Sequence, residues 1–146
     1  TYGAGVPDCS DVPPHLRELV AATDNRVGTR EHEIVDAVKP EPGELVLNKT
    51  TMGAFASTGI DSHLRAMGVQ ELVFTGVSTN NCVGMTAMEA CDRRYGAVLV
   101  ADATGTCSDE MQEATLRSFR RLWGRVMTTD EVIAELDAAA GLRAVG

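Results

Sequence analysis

The 146-residue chain is poor in aromatic residues and lacks the cysteine spacings that mark common metal sites. Its composition is 4% aromatic, 44% hydrophobic and 23% charged, which is typical of a soluble domain long enough to bury a core. The cysteines at positions 9, 82, 91 and 107 form no Cys-x-x-Cys pair, and the three histidines are scattered. We therefore expect neither a metal ion nor another cofactor.

The chain also lacks a basic surplus and a long apolar run. Its net charge is −8 at pH 7, which argues against nucleic acid or an anionic membrane as a partner, because both need a basic face. No apolar run approaches the length of a membrane span. Widely spread cysteines are typical of reduced thiols, so we expect a cytoplasmic protein.

Strand-like and helix-like patterns alternate along the chain at short intervals. Apolar strands are predicted at residues 44–48, 71–77, 97–103 and 125–128. Helices are predicted at residues 14–22, 58–67, 81–94, 109–122 and 129–140, with Asp109 as the cap of the fourth and Thr129 or Asp130 as the cap of the last. This alternation predicts an α/β fold, a three-layer α/β/α sandwich with a mainly parallel sheet, in one domain spanning residues 1–146.

A cysteine stands where a predicted strand gives way to a helix. The apolar run ELVFTGV ends at Val77, a polar turn follows, and Cys82 begins the helix. The unpaired N–H groups and partial positive charge of a helix N-terminus favour a thiolate, and those N–H groups can hold an oxyanion. Two interpretations stay open on residue type and position alone: a nucleophile, or a small apolar residue packed at the helix start.

Lys49 follows another predicted strand, and Asp102 lies near the end of a third. In open parallel sheets the reactive groups gather at the carboxyl ends of the strands. Alone, Lys49 would be a solvated strand-end lysine. One helix and one strand separate it from Cys82, which is the spacing of neighbouring strands in a βαβ unit, and its ammonium group would then stabilise a thiolate. The other three cysteines are expected to be structural.

Three segments together resemble the isochorismatase-like cysteine hydrolases: NKTTMGAF, TGVSTNNCVGMTAMEA and VLVADAT. The resemblance covers nearly the whole chain, and it is nearest to the branch of N-carbamoylsarcosine amidase, biuret hydrolase and ureidoacrylate amidohydrolase. It implies an enzyme that hydrolyses a C–N bond of a small amide, ureide or carbamoyl compound through a thioester acyl-enzyme. The alternative is a catalytically inactive module of the same fold that serves binding or oligomerisation.

The resemblance implies catalytic roles for particular residues. Cys82 matches the family nucleophile, and Lys49 matches the lysine of the Asp-Lys-Cys triad. The bond between Val77 and Ser78 falls where the family has a cis peptide between two non-proline residues. That peptide would aim the N–H of Ser78 at the oxyanion, beside the N–H of Cys82.

Substrate-binding positions follow from the same resemblance. Phe55 matches an aromatic position that lines the pocket, and Thr79 and Asn81 would touch the substrate. In the carbamoylsarcosine branch, an arginine in the loop after the strand at 97–103 grips a substrate carboxylate. The corresponding loop here, TGTCSDE, has no arginine, which argues against a ureido acid that carries a carboxylate.

The third triad member departs from the family pattern. The family places an aspartate on its first strand, in a segment like VIDMQxxF, and no such segment occurs in this chain. We expect the N-terminal strands of the fold to be absent, and a companion chain or a missing N-terminal segment to supply the aspartate. Asp8, Asp11 and Asp102 are possible substitutes, although loop acids are mostly solvated. A homo-oligomer is also expected.

Overall fold

The computed structural model describes the backbone of residues 1–143 and the side chains of residues 1–141. The chain divides into two units, Thr1–Arg65 and the residues from Ala66 onward. The prediction of a single domain over residues 1–146 therefore stays a prediction.

The first unit consists mainly of turns around a small apolar cluster. The cluster contains Ala4, Cys9, Val12 and Val20, with Tyr2 packed against it. Helix α1 (Arg17–Ala22) follows a 3-10 turn at Pro14–Leu16 and contributes Val20. Its position agrees with the helix predicted over residues 14–22. Helix α2 (Ile60–Ala66) lies within the range predicted for the second helix.

The strand predicted at residues 44–48 is wrong. Leu45 and Val46 are about half exposed, and pairing is limited to one isolated parallel bridge between Tyr2 and Lys49. The N–H of Lys49 donates to the carbonyl of Thr1, at 3.0 Å, and the N–H of Gly3 donates to the carbonyl of Lys49, at 3.2 Å. A regular strand needs a ladder of bridges along several residues, and the bridge of this segment to the N-terminal residues is confined to Lys49.

The second unit contains a parallel sheet of three strands in the order β1-β2-β3. The strands are β1 (Glu71–Val77), β2 (Gly96–Gly105) and β3 (Arg125–Met127). Their positions agree closely with the three predicted strands in this part of the chain. Parallel strands with a helix between each pair confirm the predicted α/β class.

Helices flank this sheet and close its core. They are α3 (Gly84–Asp92), α4 (Asp109–Leu122) and α5 (Thr129–Arg143). The core contains Val83, Ala87, Ala97, Leu99 and Phe119, so α3 and α4 pack on the same face of β2. Helix α5 also contacts β2. None of the described helices is both long enough and apolar enough to cross a membrane.

The predicted caps of α4 and α5 are each displaced from the observed cap. Ser108, rather than Asp109, caps α4, because its Oγ accepts a hydrogen bond from the N–H of Met111. Helix α5 is capped by Thr128, whose Oγ1 accepts from the N–H of Glu131 at 3.3 Å. The Glu131 carboxylate accepts in return from the N–H of Thr128, at 2.7 Å. This reciprocal pair is a capping box, and it satisfies two backbone donors.

The pairing of β1 with β2 shifts register near the carboxyl ends of the strands. Phe74 pairs with Leu99, but Gly76 pairs with Thr104, so extra residues of β2 bulge out of the ladder. Gly76 has a φ of +103°, a conformation that side chains disfavour. The side-chain amide of Gln112 donates to the carbonyls of Ala101 and Thr104. This contact holds the bulge against α4.

Candidate active site

Cys82 lies in a short kinked turn between β1 and α3. The turn is a π-helical segment, Thr79–Val83, with non-helical backbone angles at Asn81 (φ −115°, ψ −111°). The carbonyl of Ser78 accepts hydrogen bonds from the N–H groups of Asn81, at 3.0 Å, and Val83, at 3.3 Å. The helix predicted from residue 81 therefore begins as a regular α-helix only at Gly84.

The turn leaves the nucleophile candidate partly accessible. Cys82 is half-buried, Asn81 is exposed and Thr79 is completely buried. The hydroxyl of Thr86 donates to the carbonyl of Cys82 at 2.6 Å, which anchors the residue to the first turn of α3. Cys82 is thus unlike Cys9, whose side chain belongs to the apolar cluster of the first unit.

The peptide bond between Val77 and Ser78 is cis, which confirms the expectation drawn from the resemblance. Neither residue is a proline. Ser78 is half-buried and directly precedes the turn that carries Cys82. The roles predicted for the N–H groups of Ser78 and Cys82 in an oxyanion hole stay predictions.

Lys49 has two contacts within the first unit. Its Nζ donates a hydrogen bond to the carbonyl of Thr51 at 2.9 Å, and it lies 4.4 Å from the centre of the Tyr2 ring. A cation over an aromatic face is stabilised by the quadrupole of the ring. The two contacts orient the ammonium group, and the residue is half-buried. Lys49 is therefore not the freely solvated lysine of the alternative interpretation.

Phe55 is buried, with 8% of its surface exposed, in the loop that follows Lys49. The Oγ atom of Ser57 organises this loop, because it lies within hydrogen-bond distance of the N–H groups of Thr50 and Thr51. The hydroxyl of Thr51 donates to the carbonyl of Gly53. The loop thus has a defined shape at the position where an aromatic pocket residue was predicted.

The predicted site residues are divided between the two units. Lys49 and Phe55 belong to the first, whereas Ser78, Thr79, Asn81 and Cys82 belong to the second. The second set is brought together on one turn at the carboxyl end of β1, where reactive groups of such sheets are expected. That Lys49 and Cys82 face a common cavity remains a prediction.

Each acid considered as a substitute for the triad aspartate has a local role. Asp11 accepts from the N–H of Gly5 at 2.7 Å. Asp8 accepts from the N–H of Ser10, and hydrogen bonds from Ser10 lower the pKa of its carboxyl group. Asp102 accepts from the backbone N–H of Thr129, which lowers its pKa. These contacts engage the three carboxyl groups in turns and at a helix start.

Two features of the candidate site were not found in the sequence. No pattern in the sequence pairs the ring of Tyr2 with Lys49. The hydroxyl of Thr106 donates a hydrogen bond to Asn80, and Asn80 stands two residues before Cys82 in the chain. The signal for Thr106 was its place directly after β2, at a strand end where polar residues are candidates for a site.

Within residues 1–143 there is no group of three or more histidine, cysteine, aspartate or glutamate side chains that could hold a metal ion.

Known proteins share this sequence pattern and fold. The isochorismatase domain family matches residues 6–131. The ureidoacrylate amidohydrolase RutB of Methylorubrum extorquens is 42% identical over 100 residues, which cover 68% of this chain and 40% of that protein. The chain therefore spans less than half the length of that relative.

Solved structures give the same result. An isochorismatase family protein from Desulfovibrio vulgaris aligns with a TM-score of 0.80 and 29% identity, over 91% of this chain and 73% of its own. The N-carbamoylsarcosine amidase from Thermoplasma acidophilum aligns with a TM-score of 0.74 and 27% identity, over 88% of this chain and 69% of its own. With the domain match over residues 6–131, these likenesses establish that the chain belongs to the isochorismatase family.

Proposed function

We propose that this protein contributes the nucleophile of a hydrolase that cleaves C–N bonds in small amides, ureides or carbamoyl compounds. The observation that carries the proposal is the place of Cys82, half-buried on a kinked turn between a parallel strand and a helix. Family membership and similarity to a ureidoacrylate amidohydrolase support the reaction class.

The carboxylate form of an acidic side chain takes the proton from the thiol of Cys82. The sulfur then attacks the carbonyl carbon of the substrate, and the carbonyl electrons move to oxygen. The N–H groups of Ser78 and Cys82 hold that oxyanion, and the ammonium group of Lys49 stabilises the negative charge. When the C–N bond breaks, an acid gives its proton to the leaving nitrogen, and ammonia or an amine departs. The carboxylate then takes a proton from a water molecule as the water attacks the thioester. This proton passes to the departing sulfur, which releases the acid product and restores the thiol.

The acid that donates this proton is proposed to come from polypeptide outside these 146 residues, either an N-terminal segment or a companion chain. Among the described residues, β1 forms a ladder only with β2, and the apolar side chains of Val73 and Val77 on β1 are 46% and 77% exposed. An open apolar edge of this kind favours the addition of a strand.

A mass measurement on protein purified from its native coding sequence tests the origin of the acid. We expect a longer chain, or a second polypeptide that copurifies with the 146 residues. A single 15.5 kDa species that is monomeric and active would refute this part of the proposal. When the mass is measured under native conditions, the same experiment gives the number of subunits and so tests the expected homo-oligomer.

Turnover tests the nucleophile. Ammonia release from ureidoacrylate, biuret and nicotinamide would be measured with the native-length protein and with Cys82→Ala. We expect Cys82→Ala to abolish turnover and Cys107→Ser, which changes an exposed thiol, to retain it. Brief incubation with the best substrate and acid quenching should leave an acyl adduct on the Cys82 peptide.

A catalytically inactive binding module is the competing hypothesis. The rate of alkylation of Cys82 distinguishes this hypothesis from the hydrolase and needs no substrate. A functional Cys82 should react with iodoacetamide well below pH 8. If Cys82 is labelled as slowly as the other three cysteines and none of the three compounds is turned over, the inactive module is favoured. That result would contradict the proposed hydrolase.

A further inference from the structure

Asn80 joins the turn that carries Cys82 to the segment that follows β2. Its Oδ1 accepts a hydrogen bond from the hydroxyl of Thr106, at 2.6 Å. Its Nδ2 lies 2.8 Å from the sulfur of Met111, in the first turn of α4. Asn80 and Thr106 are both half-buried, which reduces competition from water for the hydrogen bond. The side chain of Asn80 therefore spans two neighbouring strand ends.

The backbone of the turn needs such an external contact. The carbonyl of Ser78 accepts from the N–H groups of Asn81 and Val83, so the backbone folds around Ser78 rather than continuing as an α-helix. Asn81 has non-helical angles, and regular helix begins only at Gly84. A kinked segment of this kind is less constrained by its own hydrogen bonds than a helix.

The turn is held at both ends. On the helix side, Thr86 donates to the carbonyl of Cys82. On the strand side, Asn80 bonds Thr106, which belongs to a different loop. Cys82 lies between these two contacts, and the direction of its side chain depends on both. Loss of the Asn80 contact would allow the strand side of the turn to move while α3 stays in place.

We propose that Asn80 and Thr106 are positioning residues for Cys82, with the hydrogen bond between them holding the sulfur in the orientation for attack. This inference rests on the proposed function. Neither side chain is assigned a contact with the reacting atoms. A small displacement of a nucleophile is costly, because reacting groups must meet in a narrow range of distances and angles.

The test combines three variants with two measurements. Thr106→Val removes the hydroxyl at nearly constant volume, Asn80→Ala removes the acceptor, and the third variant carries both changes. We expect each single change to lower kcat and the rate of Cys82 alkylation by about three- to tenfold, the effect of one hydrogen bond. KM should change less than kcat. The double variant should be no slower than Asn80→Ala, because both changes remove one interaction.

Two further variants separate positioning from general loss of structure. Thr106→Ser keeps the hydroxyl and should restore kcat and alkylation. Thr23→Val removes a hydroxyl that bonds the carbonyl of Leu19 on α1, and it should leave both rates unchanged. Strictly additive effects in the double variant would overturn the proposal, as would wild-type kcat and alkylation in Thr106→Val.

The failure of this inference is distinguishable from failure of the proposed function. Turnover that survives Cys82→Ala would overturn the proposed hydrolase mechanism. An inactive Cys82→Ala beside a fully active Thr106→Val would overturn only the positioning role.

Discussion

A Cβ atom built on Gly84 would lie 2.4 Å from the carbonyl oxygen of Thr79. Real Cβ atoms essentially never approach an oxygen so closely, so the first residue of α3 contacts the Cys82 turn backbone to backbone. Thr79 is completely buried, and its Oγ1 has no hydrogen-bond partner among residues 1–143. A side chain at position 84 can therefore be accommodated only if the turn or the start of α3 shifts.

We therefore expect Gly84→Ala to destabilise the protein and to displace the Cys82 turn. Overpacking of this kind costs about 1–3 kcal/mol, measured as the free energy of unfolding in urea, and alkylation of Cys82 should slow in parallel. Gly141→Ala is the matched control on α5, because no atom lies within 4 Å of its Cβ position. It should raise stability by up to about 1 kcal/mol. Equal stability of the two variants would contradict the close approach.

The core of the second unit is expected to depend on Leu99. Its side chain is 0% exposed in β2, among residues of α3 and α4. Leu99→Ala should lower the free energy of unfolding by about 2–5 kcal/mol, since it removes buried methyl groups and leaves a cavity. Leu136→Ala, at a position 60% exposed on α5, should change it by less than about 0.5 kcal/mol. If Leu99→Ala changes the free energy of unfolding by as little as Leu136→Ala does, the role of Leu99 in stabilising the core of the second unit is contradicted.

The four thiols are expected to react with iodoacetamide in two groups. Cys107 is exposed and Cys82 half-buried, whereas Cys9 is 2% exposed. Burial, aided by the charge of Asp92, raises the pKa of Cys91, so its labelling should become appreciable only above the usual thiol range. Peptide mapping after labelling at pH 7 should find Cys82 and Cys107 modified first. Early modification of Cys91 would contradict the raised pKa of its thiol.

Asp102 should make stability depend on pH at the acidic end. The N–H of Thr129 lowers the pKa of Asp102 in the folded protein. A lowered pKa means that the stabilisation is present above the unfolded value, about 3.9, and is lost as the pH falls through the folded value. The stability gap between wild type and Asp102→Asn should thus be constant at neutral pH and shrink below about pH 4. Urea unfolding at pH 7, 5, 4 and 3 measures the gap. A gap that stays constant down to pH 3 would contradict the role of Asp102 at α5.

Much of the second unit follows from local sequence patterns. Strands are predicted over the runs ELVFTGV and AVLVADAT, and these runs lie in β1 and β2 respectively. Within these 146 residues, no residue of β1 is fully buried. The resemblance also located the cis peptide before Ser78. Helix starts were less accurate, because a cap depends on which side chain reaches a backbone N–H. At α4 and α5, Ser108 and Thr128 do so.

Apolar periodicity in the sequence predicts where the strands and helices of the second unit lie. The polar turn after β1 predicts that Cys82 lies between a strand and a helix. These features depend on neighbours within a few residues. The tertiary structure alone decided that residues 44–48 form no strand, that β2 bulges near its end, and that Thr106 bonds Asn80. Each of these features depends on contacts between segments that are far apart in the chain. Local sequence patterns do not predict such contacts.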